Sequence, residues 1–133
     1  MSYYDWNSRV GIEEMMGKTF TQITGSVGND VIVFENDSER YVFFHSQDCC
    51  ESVSVEDIVG DLQDLVGLPL LIADESSGET PSDYKMEYEP ESYTWTFYKF
   101  ATRKGYVDVR WLGTSNGYYS EGVSLGYEKL SNV

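Results

Sequence analysis

An α+β domain built mainly on an antiparallel sheet of about seven strands, with one or two short helices, is the fold class this sequence predicts. Side chains from Tyr93 to Trp111 alternate with a period of two. Short β-branched and aromatic runs between Asp30 and Ser46 are separated by polar turns. Helix-terminating chemistry is confined to two brief stretches, Gly11 to Gly17 and Asp61 to Gly67.

In chain order, residues 1–10 read as a surface lead-in tacked down by Trp6. Gly11 to Gly17 allows one or two helical turns, with Glu13 and Glu14 near the favourable N-terminal end and Gly17 closing it. Lys18 to Val27 is expected as a strand anchored by Phe20 and Ile23, and Gly28-Asn29-Asp30 as a turn. Asp30 to Glu35 and Arg40 to Ser46, joined by the polar turn 36–39, complete an antiparallel meander. His45 to Cys50 reads as the tip and neck of a hairpin whose second arm runs to Asp57. Gly60 argues against one long helix beyond it, leaving a short helix capped by Asp61 and stopped by Gly67.

Leu68 to Ala73 is expected as a buried strand with Pro69 tolerated at its start. Residues 74–91 read as an acidic mobile loop in which Tyr84, Met86 and Tyr88 can line an edge strand. From Tyr93 the alternation is clear: Tyr93, Trp95 and Phe97 point one way, and Thr94, Thr96 and Tyr98 the other. Arg103-Lys104-Gly105 turns the chain. Val107, Val109 and Trp111 then share a packing face opposite Tyr106, Asp108 and Arg110. Asn116-Gly117 is a strong hairpin signal, with Tyr118-Tyr119-Ser120 starting the return strand. Residues 126–133 read as a polar tail, and no repeat or second-domain boundary is visible, so one domain is expected.

A formal charge of −14 excludes nucleic-acid binding through a generic basic surface, because phosphate neutralisation needs lysine and arginine in numbers. Solubility, imitation of a polyanion, or an acidic shell around one cationic pocket remain as readings of that charge. No apolar run is long enough to span a membrane, and the N-terminus has neither the basic nor the apolar region of a secretory leader. Cys49 and Cys50 are adjacent, and a disulfide between neighbours closes a strained ring, so free thiols in a reducing cytoplasm are expected.

His45, Cys49 and Cys50 have metal-ligand types, but neighbours on a strand face opposite ways and no second Cys/His pair exists. No metal or cofactor is therefore expected. A histidine beside a thiol could make a nucleophile pair, yet no orienting residue or oxyanion hole is recognisable, and buried structural roles are the plainer reading. Phosphate-loop and dinucleotide fingerprints are absent. Arg110 is the most informative single residue, mid-strand on a polar face in a chain poor in cations. Either it pairs with an acid such as Asp108 or Glu121, or it grips a phosphate or carboxylate. Tyr93, Trp95, Tyr118 and Tyr119 offer stacking faces around it, and Ser115, Asn116 and Ser120 offer hydrogen bonds.

The segments QDCCESV (47–53), SYTWTFY (92–98), KGYV (104–107) and RWLGTSNGYYSE (110–121) resemble a family of small uncharacterised proteins common in tailed bacteriophages and their hosts. The likeness covers roughly residues 40–125. It implies a phage or prophage origin and a single domain, but no reaction. Small acidic phage proteins without enzymatic motifs often counter host defence. The resulting expectation is a non-enzymatic, cytoplasmic protein that sequesters a nucleotide-like defence signal. Arg110, with Arg103 or Lys104, would meet phosphate; Trp95, Tyr118 and Tyr119 would stack; Asn116, Ser120, His45, Gln47 and Asp48 would complete the site. The alternatives are an acidic inhibitor that binds a host defence protein, or mimics DNA, and a Cys/His-dependent enzyme. A homo-oligomer is expected because sheet edges need covering.

Overall fold

The structure, a computed structural model, describes residues 8–86 and 90–130. Among the described residues, eight strands form two four-stranded antiparallel sheets. The first sheet contains β1 (Gln22–Thr24), β2 (Val31–Glu35), β3 (Glu39–Phe44) and β8 (Ser124–Lys129), in that order. The second contains β4 (Ser52–Val59), β7 (Gly105–Ser115), β6 (Ser92–Thr102) and β5 (Ile72–Gly78), again in spatial order. The mainly antiparallel architecture is as expected, but it is split between two sheets, and the fold is a β-rich sandwich with no clear α+β character. Among the described residues the helical content is two 3₁₀ turns, Ile12–Met15 and Leu62–Leu65. Each apolar stretch is too short for an α-helix to repay its nucleation, so a single tight turn is the outcome.

Aromatic side chains join the two sheets. Phe34 of β2 lies 5.0 Å from Phe100 of β6, and Phe43 of β3 lies 4.8 Å from Tyr98, centroid to centroid. Val107, Val109 and Trp111 of β7 are buried on the same inner face, as the alternation requires. The opposite face of the second sheet carries Trp95, Phe97, Lys99, Asp108 and Arg110, because Trp95 pairs with Leu112, Phe97 with Arg110 and Lys99 with Asp108.

The 3₁₀ turn at Leu62–Leu65 is capped as its sequence predicts: the Asp61 carboxylate accepts from the Gln63 backbone N–H. The meander of β1, β2 and β3 also forms, although the expected Lys18–Val27 strand shortens to three residues. Chain segments outside the strands cover two of the sheet edges. Val10 N–H donates to the Leu125 carbonyl at 3.0 Å beside β8, and Gly28 N–H donates to the Val55 carbonyl at 2.8 Å beside β4.

Several boundaries differ from the expectation. His45–Cys50 is not a hairpin tip, since β3 and β4 belong to different sheets and the segment crosses between them. Asn116-Gly117 likewise does not make a hairpin. Gly117 has φ +93°, but among the described residues no non-glycine residue has positive φ, Asn116 included, so the two-residue turn that needs both is not formed. The chain instead crosses to the first sheet, and residues 126–129 are part of β8, not a tail. The buried strand expected at Leu68–Ala73 begins at Ile72 and extends through the acidic Asp74 and Glu75 to Gly78, which pair with β6. Trp6 and Tyr88 fall outside the described residues.

Candidate functional site

The second sheet's outer face is organised by Arg110. A register shift between Val55 and Asp57 inserts one extra residue into β4 opposite β7. Such a bulge brings two side chains to one partner position. Both Glu56 and Asp57 therefore reach Arg110: Glu56 Oε1 accepts from Nε, and Asp57 Oδ2 lies 3.9 Å from Nη2. A third carboxylate, Asp83, accepts from Nη1 at 3.0 Å. The Asp83 bond, aided by Glu56 and opposed by burial, holds the guanidinium above its usual range, and Arg110 in turn holds Asp83 below its own. Arg110 does pair with acids, then, but with none of those its strand position suggests. Asp108 is opposite Lys99 in the strand register, and Glu121 accepts from Thr94 Oγ1 at 2.7 Å and from Ser115 Oγ.

Residues 79–86 lie across this face as a strap. Thr80 Oγ1 accepts from Trp95 Nε1 at 3.0 Å, the Tyr84 ring meets Trp95 edge-on at 4.9 Å, and the Arg110 guanidinium sits 5.8 Å from the Trp95 ring centre. Trp95 is only 1% exposed in consequence, although it is on the outer side of the sheet. Beside the strap opens a cavity of about 480 Å³. Phe97, Val59 and Pro81 give it an apolar lining, and Asp57, Asp74, Glu79 and Asp108 contribute carboxylates against the two cations Lys99 and Arg110. Lys99 stands between Asp74 and Asp108 on the neighbouring strands.

A second polar centre ties the two inter-sheet crossings together. His45 Nδ1 lies 2.7 Å from the Gly122 carbonyl, and Nε2 lies 2.8 Å from Glu51 Oε2. Glu51, fully buried, also accepts from the backbone N–H groups of Asp48 and Cys49 and from Gln47 Nε2. Burial alone would raise its pKa; the His45 bond and these backbone donors outweigh it and bring the carboxyl down to about 2. Cys49 and Cys50 are joined as a vicinal disulfide on the exposed side of this loop, in place of the expected free thiols. The pinned 48–51 segment brings the two sulfurs together. The cleft beside them, about 590 Å³, is lined by Asn29, Asp30, Gln47, Ser52 and Ser54.

The residues that sequence reasoning gathered into one site occupy three places. Arg110 and Trp95 lie mid-sheet, with Tyr93 half-exposed two residues before Trp95 on the same strand. Ser115, the last residue of β7, and Asn116, Tyr118, Tyr119 and Ser120 beyond it begin about 17 Å farther along at the rise of an extended chain. Asn116 Oδ1 accepts from Tyr118 N–H at 3.1 Å, Ser120 Oγ accepts from Gly122 N–H, and Tyr118 is 88% exposed with no stacking partner among the described residues. His45 and Asp48 adjoin Ser120 at the crossing, where a small surface pocket touches all three, and Gln47 is spent on Glu51. Arg103 and Lys104 are at the β6–β7 turn, about 20 Å from Arg110 in the opposite direction. The sequence reading missed Glu56, Asp57 and Asp83 as partners of Arg110. The bulge that delivers the first two has no signature in the sequence.

The fold and site define a β-sandwich with one acid-rimmed outer cavity and no grouping of three or more metal-ligand side chains among the described residues. The chain belongs to the family described as Domain of unknown function (DUF7448), whose sequence model matches residues 13–125. No curated protein and no solved structure matches it. Among the described residues no helix is long and apolar enough to cross a membrane.

Proposed function

We propose that this protein is a non-catalytic binding protein that holds a positively charged partner on the outer face of its second sheet. One observation carries the reading. The cavity on that face joins an apolar lining to four carboxylates, while Arg110, the cation best placed to grip an anion, is already held by Glu56, Asp57 and Asp83. A lysine or arginine side chain of a partner would lay its aliphatic stem on Phe97 and its charged head among Asp74, Asp108 and Glu79. The likeness to bacteriophage and prophage proteins suggests a host defence component in the bacterial cytoplasm as that partner, which makes the protein an acidic inhibitor. Sequestration of a nucleotide-like signal would require phosphate to displace three carboxylates from Arg110 amid further negative charge, and so fits this face less well.

The experiment has two arms. Mass spectrometry of molecules released by denaturing protein purified from infected, defence-active cells is expected to yield no phosphorylated small molecule. A partner protein recovered under native conditions is expected to lose affinity at least about tenfold when Asp74 and Asp108 are both changed to asparagine. A released nucleotide, or a partner indifferent to the double variant, would overturn the proposal.

A further inference from the structure

The exposed Cys49–Cys50 pair stands apart from the acidic face and is independent of the reading given for it. Three observations converge there. The sulfurs are on the surface of the β3–β4 crossing, where small thiols can reach them. The backbone of Cys49 is held on both sides, its N–H by Glu51 at 2.9 Å and its carbonyl by Gln47 Nε2 at 3.3 Å, so Cys49 keeps a fixed place in the cleft wall. The cleft itself presents amide and hydroxyl side chains from Asn29, Ser52 and Ser54, groups that pair with peptide edges, beside the exposed carboxylate of Asp30, and the buried acid behind it, Glu51, is bonded to His45.

We propose that Cys49–Cys50 is a thiol–disulfide exchange site, with the polar cleft beside it admitting a low-molecular-weight peptide thiol. The thiolate of that compound attacks Cys49 Sγ, a sulfur–sulfur bond forms between them, and the electron pair of the Cys49–Cys50 bond leaves on Cys50 Sγ, which takes up a proton from solvent. A second molecule of the thiol then attacks the mixed disulfide at the compound's own sulfur. Cys49 departs as thiolate and is protonated, and the compound is released as its disulfide. Two thiols are oxidised and one protein disulfide is reduced; run backwards with the oxidised compound, the same steps close the pair.

The test uses the full chain and glutathione as the probe. Protein is equilibrated in buffers of varied reduced-to-oxidised glutathione ratio, quenched with acid, alkylated and weighed intact. The expected result is a transition, within the range of those buffers, from a species that takes no alkyl group to one that takes two. Cys50→Ser is expected to accumulate glutathione on Cys49 severalfold faster than Cys49→Ser accumulates it on Cys50. Ser52→Tyr, which narrows the cleft, is expected to slow reaction with glutathione severalfold while leaving reaction with 2-mercaptoethanol unchanged, circular dichroism confirming that each variant is folded. A pair that stays closed in every native buffer and yields only in denaturant would overturn the proposal, as would a pair that stays open throughout. Equal rates for the two single-cysteine variants, or a Ser52→Tyr effect shared by both thiols, would reject the role given to Cys49 and the cleft.

Discussion

Arg110 and Glu51 show how a single charged side chain can be committed to structure in so acidic a protein. Arg110 pairs with three carboxylates contributed by a strand bulge and by the strap. Removing it leaves Glu56 and Asp57 side by side without a cation. Arg110→Ala is therefore expected to lower stability by about 2 kcal/mol, and Arg110→Lys by somewhat less, because an ammonium cannot reproduce the guanidinium fork. Urea unfolding measures this; unchanged midpoints would mean that the residue is free for a ligand after all. Glu51 gives a pH-dependent counterpart. Its folded pKa of about 2 lies below its ordinary 4.5, so the unfolded chain binds the proton more readily between those values. Its contribution is fully present above pH 4.5 and is lost as pH falls toward 2. Glu51→Gln is expected to be destabilised by about 3 kcal/mol near neutrality, since an amide with one acceptor oxygen cannot serve His45, Gln47 and the Asp48 and Cys49 N–H groups together, and to show a shallower loss of stability on acidification than the parent. Equal acid sensitivity in both proteins would show that the carboxylate is not the group that matters.

At the scale of elements, the two crossings and the strap decide which side chains meet. The return crossing passes directly over Gly113 of β7: a Cβ there would sit 2.3 Å from the Glu121 carbonyl oxygen, a backbone atom that cannot turn aside. Gly113→Ala should cost about 3 kcal/mol and shift amide resonances of residues 120–123, whereas a negligible change in melting temperature would mean that the crossing does not lie where the structure has it. For the strap, Tyr84→Ala should expose Trp95 and move its fluorescence to longer wavelength, with a loss of about 1 kcal/mol. An unmoved spectrum would show that the strap does not cover the tryptophan. Much of the strand content was legible in advance. The face assignment of Val107, Val109 and Trp111 follows from period-two alternation, and the Asp61 cap from its residue type. The two sheets were not legible, because His45–Glu51 and Asn116–Val123 look locally like turns, and nothing local distinguishes a turn from a passage between layers. Trp95 illustrates the same limit. Alternation grouped it with Tyr93 and Phe97 on one side of its strand, but only the strap, 9 to 16 residues upstream, explains why it is buried on the outer face.

For the whole molecule, the sandwich commits Lys18, Arg40 and Arg110 to internal ion pairs and presents carboxylates outward. Lys18 meets Glu39 at 2.7 Å, Arg40 meets Glu35 and Glu128, and Arg110 meets its three acids. Edge protection is also internal at β8 and β4, so segments of the chain itself do part of the covering that its sequence suggested a second copy would do. The candidate site was legible only in fragments. The sequence marked Arg110 and Trp95 as neighbours on one sheet face, but the sign of the charge around them depends on Glu56, Asp57, Asp74 and Asp83, which tertiary structure alone assembles. Whether that face selects for positive charge is most directly measured by amide chemical-shift titration of the labelled protein with two probes, a tetra-arginine peptide and adenosine triphosphate, at low and at physiological salt. The expected result is that the peptide shifts Val59, Asp74, Phe97, Lys99 and Asp108, that the shifts weaken as salt screens the charges, and that the nucleotide leaves them unmoved. Shifts produced at these residues by the nucleotide, and abolished by Arg110→Ala in a folded protein, would contradict the account.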